Sequence, residues 1–239
     1  MAGITDGKFA LKLIPYGFDV VSIGGYNADS ETIAAGKKIL ERGRNEFDIE
    51  LEKLYSVIEN EVNIIKKRYP HIKVSLNLRA ISPESIIAIS DIINLDIIEI
   101  NSHCRQEELL KINCGQQMLQ SPHKLANFTK KVVDGINPNK KVSVKMRANV
   151  NGVDDLKIAK KIENTGVDYL HIDAIKPGHL EADLNIIREI SENTEIFIIG
   201  NNSIVDVKRG KEMLDAGASG ISVARAAING KLNFDISKI

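Results

Sequence analysis

The chain of 239 residues carries 32 basic and 32 acidic residues, so its formal net charge is zero. Proteins that bind nucleic acids through many phosphate contacts usually have a basic excess, and this balance counts against a dedicated nucleic-acid-binding function. The hydrophobic fraction of 43% and the charged fraction of 27% are ordinary for a globular protein. The length suits a single domain over residues 1–239, and barrels of alternating strands and helices commonly have about 250 residues.

Cysteine usage and hydropathy indicate the compartment. Cys104 and Cys114 are too few for a disulfide framework, which favours a reducing environment. The sequence has no signal-peptide pattern and no apolar run of membrane length. We therefore expect a cytoplasmic protein with no membrane association. The sequence does not determine the oligomeric state.

Apolar periodicity predicts strands and helices that alternate along the chain. A short helix over 7–13 precedes the first strand, 19–23, which we expect to end at Gly24-Gly25. Ser82 and Pro83 are typical of a helix start. The other predicted strands are 73–78, 95–101, 141–147, 166–173, 195–200 and 219–224, and the other predicted helices are 28–42, 47–68, 121–134, 153–164, 181–192 and 204–216.

The predicted strands are almost continuously apolar, as expected when helices cover both faces of a parallel sheet. This pattern favours an α/β fold, a (β/α)8 TIM barrel in one domain. Only seven strands are evident, and an eighth would have to precede Met1. We therefore expect the first strand of the barrel to be short or missing.

Polar residues recur where the predicted strands end, which is where such barrels collect their catalytic groups. A cysteine thiol has an ordinary pKa of about 8.5, so Cys104 could act as a nucleophile or an acid. Segments 200–203 and 217–220 could present backbone N–H groups to a phosphate. The strand-end residues are Asn77, Arg79, Asn101, Cys104, Lys145, Arg147, His171, Asp173, Asn201, Asn202, Ala224 and Arg225.

Each of these residues also has a structural interpretation. A single cysteine after a strand, such as Cys104, is often a small buried residue with no catalytic role. Asn201-Asn202 could be only a tight turn and a helix cap. Lys145 and Arg147, two residues apart, lie on one side of a strand and could form ion pairs at the barrel end. The histidines and cysteines lack metal-ligand spacing, so we predict no metal site.

Several motifs resemble the dihydrouridine synthase family of FMN-dependent barrels. Asn101-Ser-His-Cys104, followed by Gly115-Gln-Gln-Met-Leu119 and Pro122, is similar without gaps to the family's cysteine signature. Segment 1–6 resembles its opening motif, Lys145-Met-Arg147 its Lys-x-Arg strand, and segments 199–204 and 218–225 its phosphate segments. The resemblance extends from residue 1 to about residue 230.

The resemblance implies bound FMN, reduced by NADPH or NADH, that passes a hydride to C6 of a uracil ring while Cys104 gives a proton to C5. Asn101 would lie near the substrate or the flavin. The default substrate would be a uridine in tRNA. The residues implied to bind the cofactor are Met1 and Ala2 at the isoalloxazine, Asn77 and Lys145 at its polar edge, and Asn201, Asn202, Ala224 and Arg225 at the phosphate. Arg147 and Asp173 are also expected to bind the cofactor.

The chain also departs from the family pattern. His103 and Arg105 replace the glycine and proline that flank the cysteine, and Asp173 replaces a histidine. Asn202 and Ala224 replace two glycines of the phosphate loops. The family's helical tRNA-binding domain is expected to be absent, because the sequence ends at Ile239. Two alternatives therefore stay open: a small-molecule FMN oxidoreductase of dihydroorotate dehydrogenase type that acts on a small pyrimidine, and a non-catalytic barrel that binds a phosphate ligand or a partner protein.

Overall fold

Seven strands run parallel in one sheet, and their order in space follows their order in the chain. The structure is a computed structural model that describes residues 2–239. Strand lengths fall from eight residues in the first to three in the last. The strands are β1 (Val20–Asn27), β2 (Lys73–Arg79), β3 (Ile97–Ser102), β4 (Lys141–Arg147), β5 (Tyr169–Asp173), β6 (Phe197–Asn201) and β7 (Gly220–Ser222).

Helices connect the strands, and aspartates begin many of them. The side chains of Asp6, Asp29, Asp154, Asp183 and Asp206 accept backbone N–H bonds in the first turns, which satisfies donors that lack an intrahelical partner. The helices are α1 (Gly7–Leu13), α2 (Ser30–Glu41), α3 (Leu51–Arg68), α4 (Pro83–Ser90), α5 (Glu107–Leu110), α6 (Pro122–Gly135), α7 (Asp155–Glu163), α8 (Leu184–Asn193) and α9 (Val207–Asp215).

The central strands separate apolar from polar side chains by their two-residue period. Ile98 and Ile100 of β3 are buried in the hydrophobic core, and Glu99 and Asn101 alternate with them. The same alternation in β4 and β5 places Lys145 and His171 on the side of Glu99. Polar groups of several strands therefore converge on the face of the sheet that bears Glu99.

The α/β class, the parallel sheet and the seven strands are confirmed. Closure into a (β/α)8 barrel remains a prediction, because β1 and β7 each pair with a single neighbouring strand within residues 2–239. In this range no helix has the length and apolar character needed to cross a bilayer.

Several predicted boundaries were wrong. The helix predicted over 47–68 begins at Leu51, the strand predicted over 166–173 begins at Tyr169, and the helix predicted over 181–192 begins at Leu184. β1 does not end at Gly24-Gly25 but continues to Asn27, because pairing with β2 resumes after a register irregularity between Gly24 and Tyr26. The helix predicted over 204–216 begins only at Val207, since Asp206 caps it. Helix α5 and the 3-10 turn Gly115–Gln120 were not predicted; both are too short to show a clear apolar period.

Candidate active site

Asn101 anchors the loop that carries Cys104. The side-chain oxygen of Asn101 accepts the backbone N–H groups of His103, at 3.2 Å, and Cys104, at 3.0 Å. Its amide nitrogen donates to the side-chain oxygen of Asn77 at 2.7 Å. Because Asn101 and Asn77 are buried in the sheet, the loop is tied to a rigid element at the point where the thiol emerges.

Gly115 closes the same loop from its far side. The amide of Gln116 donates to the carbonyl of Cys104 at 2.8 Å, and Gly115 has a φ of +66°. A Cβ at residue 115 would lie 2.2 Å from the Cys104 carbonyl oxygen. The glycine that the sequence motif pairs with the cysteine is therefore required for the chain to pass so close to it. Cys104 is partly exposed, whereas Cys114 is fully buried and burial raises its pKa to about 12.

A charged cluster lies beside this loop. One oxygen of Asp173 receives Arg147 Nη2 at 3.0 Å and His103 Nε2 at 3.3 Å, and the other accepts Asn202 Nδ2 at 2.6 Å. Arg147 Nε also donates to the carbonyl of His103 at 3.2 Å. Arg147 thus forms an ion pair at the carboxyl end of its strand, as its spacing allowed, and it fixes the residue that precedes Cys104.

The charge states in this cluster follow from burial and hydrogen bonding. Burial lowers the pKa of His103 to about 4, which outweighs the opposing effect of Asp173, so its ring is neutral near pH 7. Burial raises the pKa of Asp173, but the bond from His103, the charge of Arg147 and the bond from Asn202 together lower it. We therefore assign an ionised Asp173 that holds a neutral His103. Nδ1 of His103 is buried without a hydrogen-bond partner among the described residues.

A second polar network lies deeper in the sheet and centres on Glu99. Its carboxylate accepts Asn77 Nδ2 at 2.7 Å and Ser143 Oγ at 3.3 Å, and it lies 2.7 Å from His171 Nδ1. The other ring nitrogen of His171 lies 2.6 Å from Ser222 Oγ. Asn201 Nδ2 donates to the same hydroxyl at 2.8 Å, so the network extends from β2 to β7.

Lys145 is the cation of this network. Its Nζ lies 3.4 Å from His171 Nε2, and no carboxylate in residues 2–239 lies within ion-pairing distance of it. Lys145 is paired in register with Asn101, the anchor of the Cys104 loop. Since neighbouring strands are about 4.8 Å apart, the ammonium and the cysteine loop belong to one site.

The two expected phosphate segments have different backbones. Asn202 and Ser203 adopt φ values of +105° and +54°, a left-handed region that asparagine tolerates better than most residues. Ala224 has a φ of −127°, so this position does not require a glycine. Arg225 is exposed and has no carboxylate partner in the described part of the chain.

The N-terminal segment packs against the carboxyl end of the sheet. A Cβ at Gly3 would lie 2.6 Å from the backbone nitrogen of Glu46, and Glu46 forms a buried salt bridge with Arg79 at the end of β2. The partly buried Ala2 therefore lies on the same side as the candidate site. The predicted contact of Met1 falls outside the described residues.

The donor set fits the group that the sequence resemblance implies. Lys145 offers a cation without a carboxylate partner, which suits the polar edge of an isoalloxazine. Arg225 and the turn at Asn202-Ser203 offer a cation and a polar turn for a phosphate. Asn77 has both of its side-chain atoms engaged, by Glu99 and by Asn101, and therefore supports the site from beneath.

Sequence inspection missed several members of the site. Glu99, Ser143 and Ser222 were not singled out, and His171 was noted only as a strand-end residue, whereas all four belong to one hydrogen-bonded network. Their signal was the two-residue alternation that was applied to Lys145 and Arg147. Applied to the neighbouring strands, the same alternation places Glu99 on the side of Asn101 in β3 and His171 on the side of Asp173 in β5.

Comparisons with known proteins match the sequence to one family model and to several relatives. The sequence model of the dihydrouridine synthase (Dus) family matches residues 56–232. The uncharacterised protein MJ0144 of Methanocaldococcus jannaschii is 35% identical over 98% of this chain and 89% of its own length. The tRNA-dihydrouridine synthase B proteins of Proteus vulgaris and Pasteurella multocida are 28% and 26% identical over 55% and 56% of this chain. These two matches span only 42% and 41% of the relatives' lengths.

Solved structures share the fold at low sequence identity. A thiamine phosphate pyrophosphorylase from Pyrococcus furiosus aligns with a TM-score of 0.55 at 13% identity, over 93% of this chain and 80% of the other. A DHODH from Eimeria tenella, solved in complex with ferulenol, aligns with a TM-score of 0.58 at 14% identity, over 77% of this chain and 61% of the other. Because the family model matches most of the sequence, the chain belongs to the dihydrouridine synthase family.

Proposed function

We propose that this protein is an FMN-dependent oxidoreductase that reduces the C5–C6 double bond of a uracil ring, with a uridine of tRNA as its substrate. The observation that carries this proposal is the pairing of Asn101 with Lys145 on neighbouring strands. It brings a partly exposed thiol, Cys104, and a cation without a carboxylate partner to one edge of the sheet. We infer that the sheet is of the (β/α)8 type, with this edge as its mouth.

FMN, reduced by NADPH or NADH, would supply the hydride that C6 of the uracil ring receives. The protein would supply the proton: the S–H bond of Cys104 breaks as the C5–H bond forms, and the thiolate is reprotonated from solvent. Asn101 fixes the loop that holds the thiol, and Arg147 and Asp173 fix the residue before it.

The proposed cofactor contacts divide into two groups. Lys145 would bind the polar edge of the isoalloxazine, with Met1 and Ala2 beside the ring, whereas Asn77 would support Lys145's network. The phosphate would be bound by Asn202 and Arg225, with Asn201 and Ala224 shaping the two turns. Both groups lie at carboxyl ends of strands, as in other barrels of this type.

A basic rim supports an anionic substrate despite the zero net charge. Arg147 is the last residue of β4, and Arg105 and Arg225 each come three residues after the ends of β3 and β7, so all three cations follow carboxyl ends of strands. Burial lowers the pKa of Arg147 against the opposing charge of Asp173, and the charges of Arg105 and Arg225 lower it further. Arg105 and Arg225 are exposed and make no ion pair within residues 2–239. These cations suit phosphates of tRNA, and binding through them should weaken steeply with salt.

The first test is the absorption spectrum of the purified protein with FMN. Flavin bands retained through desalting support the proposal, and a colourless protein that takes up no FMN would favour a non-catalytic barrel. The loaded protein is then assayed with NADPH or NADH and unmodified tRNA. Cys104→Ala should retain FMN but lose turnover, whereas Cys114→Ala, which removes the buried thiol, should keep turnover.

The zero net charge favours one second candidate, an FMN oxidoreductase that acts on a free pyrimidine. The assay separates the two candidates because free uracil and orotate can replace tRNA in it. Turnover of the free base, together with tRNA binding that is insensitive to salt, would support the small-molecule enzyme. Turnover of tRNA alone would support the synthase.

A further inference from the structure

The side chain of Lys145 has a single hydrogen-bonding partner in the described chain, and that partner is a histidine. Lys145 Nζ lies 3.4 Å from Nε2 of His171, whose side chain is 7% exposed. The nearby carboxylate of Glu99 contacts the opposite nitrogen of the same imidazole, at 2.7 Å.

The hydrogen bonds of His171 determine its tautomer. The ionised carboxylate of Glu99 is only an acceptor, so Nδ1 of His171 carries the proton that lies between them. Nε2 of the neutral ring is then an acceptor whose one lone pair is shared: the hydroxyl of Ser222 lies 2.6 Å from it and Lys145 Nζ lies 3.4 Å from it. The hydroxyl itself accepts Asn201 Nδ2 at 2.8 Å, which orients its proton toward His171.

The charges around His171 agree with a neutral ring. Burial lowers the pKa of His171, and the charge of Lys145 lowers it further, against the opposing effects of Glu99 and Asp173. Burial raises the pKa of Glu99, but His171, Lys145 and Asn77 lower it, so Glu99 is ionised. A protonated His171 would point an N–H group at the Lys145 ammonium. The arrangement therefore requires a protonated Lys145 and a neutral His171 whose Nε2 lone pair faces the ammonium.

We propose that His171 is a positioning residue for Lys145: Glu99 fixes the imidazole, and the Nε2 lone pair, shared with the Ser222 hydroxyl, orients the ammonium at the mouth of the sheet without neutralising its charge. A carboxylate in this place would form an ion pair and offset the positive charge. An imidazole lone pair orients the lysine and leaves that charge for a ligand.

The effect of this lysine charge on a cofactor rests on the proposed function, in which the protein binds FMN. A ligand edge that becomes more negative on reduction is bound more tightly by a full positive charge. The Glu99–His171–Lys145 chain would therefore favour reduced over oxidised FMN. His171 acts through Lys145 and does not need to touch the cofactor.

The first arm of the test uses the protein without FMN. Nitrogen NMR of 15N-histidine-labelled protein should show a neutral His171 at neutral pH, protonated at Nδ1. Lys145→Met should raise the pKa of His171 by about one unit or more, a tenfold change in proton affinity. Lys141→Met, on the same strand but paired with Asp168, is the control and should leave it unchanged. An imidazolium ring, or a pKa that does not respond to Lys145→Met, would overturn the proposal.

The second arm measures the FMN reduction potential. In His171→Asn the amide can still donate to Glu99 but no longer reaches Lys145, whereas the longer amide of His171→Gln reaches toward Lys145 and Ser222. We expect His171→Asn to lose about tenfold in preference for reduced FMN, about 30 mV for two electrons, and His171→Gln to recover most of it. A wild-type potential in a folded His171→Asn protein would overturn the proposal. If the wild type binds no FMN, the proposed function fails, and the NMR arm still decides whether His171 positions Lys145.

Discussion

The side-chain oxygen of Asn101 lies 3.0 Å from the amide nitrogen of Cys104 and accepts its N–H group. Asn101 is a buried residue of β3, and its side chain holds the backbone of the loop that carries Cys104. Asn101→Ala removes this acceptor and leaves Asn77 with an unpaired oxygen, at a cost of about 1–3 kcal/mol in the free energy of unfolding. We expect turnover to fall at least tenfold while FMN remains bound. Urea unfolding and single-turnover rates measure the two effects.

Asn137→Ala is a matched control, because the Asn137 side chain also accepts a backbone N–H group, from Asn139 at 3.0 Å, but in an exposed loop away from the site. It should leave turnover unchanged. If Asn101→Ala kept wild-type turnover, the loop would not depend on this anchor.

Gly115 should not tolerate a side chain. Its φ of +66° and the 2.2 Å separation between a Cβ added at residue 115 and the Cys104 carbonyl oxygen impose two separate costs on Gly115→Ala. A strained backbone costs of order 1–3 kcal/mol, and the displaced carbonyl also moves the thiol. We therefore expect loss of both stability and Cys104-dependent turnover, measured by thermal unfolding and by the tRNA assay.

Gly178→Ala isolates the backbone cost, because Gly178 has a φ of +78° and nothing within 4 Å of its added Cβ. It should destabilise the protein less than Gly115→Ala does. Equal losses in the two variants would mean that contact with the Cys104 carbonyl adds nothing.

Arg79 and Glu46 form a salt bridge whose side chains are each 1% exposed. Arg79→Met leaves the Glu46 carboxylate buried without its cation, and removing one partner of a buried pair costs about 3–5 kcal/mol. The double variant Arg79→Met with Glu46→Leu should recover part of this loss, since no charge is then stranded. Denaturant unfolding of the three proteins gives the coupling between the two residues.

The exposed pair of Lys37 and Glu50, 2.7 Å apart, provides the comparison. Lys37→Met should change the unfolding midpoint little, because solvent screens that pair. A loss in Arg79→Met as small as in Lys37→Met would show that the buried pair contributes nothing.

Much of the fold follows from patterns within single strands and helices. The alternating apolar residues at 73–78 and 141–147 predicted β2 and β4 closely, because a two-residue period is visible within a single strand regardless of its neighbours. The continuation of β1 beyond Gly24-Gly25 was not predictable in this way. It depends on hydrogen bonds to β2, which lies nearly fifty residues later in the chain.

The residues of the candidate site also fall into those that local sequence could predict and those that it could not. Cys104, Asn101 and Gly115 were found because they lie in one short segment with recognisable spacing. The link between Glu99 and His171 was missed, since the two residues are separated by 72 positions and meet only across the sheet. The partner of Arg147 was also left open. Whether Arg147 forms an ion pair or binds a ligand depends on the position of Asp173, which lies on the next strand.

Asp155 should give the protein an unusual dependence of stability on pH. It is 7% exposed, with one carboxyl oxygen bound to the amide of Asn149 at 2.8 Å and the other without a partner among the described residues. Burial raises the pKa of Asp155 from 3.8 to about 6, and Asp154, Glu189 and Asp183 raise it further against the bond from Asn149. Between these two values the folded protein binds more protons than the unfolded chain, so this residue makes stability fall as pH rises.

Asp155→Asn removes that titration and keeps an oxygen to accept the Asn149 amide. We expect the variant to gain on the wild type as pH rises from about 4 to 6, by up to about 3 kcal/mol, since each pKa unit corresponds to 1.36 kcal/mol. Urea unfolding at several pH values measures the difference. Asp134→Asn, which alters an exposed carboxylate paired with Lys130, is the control and should run parallel to the wild type. A constant difference between Asp155→Asn and the wild type over this interval would show that Asp155 titrates alike in the folded and unfolded chains.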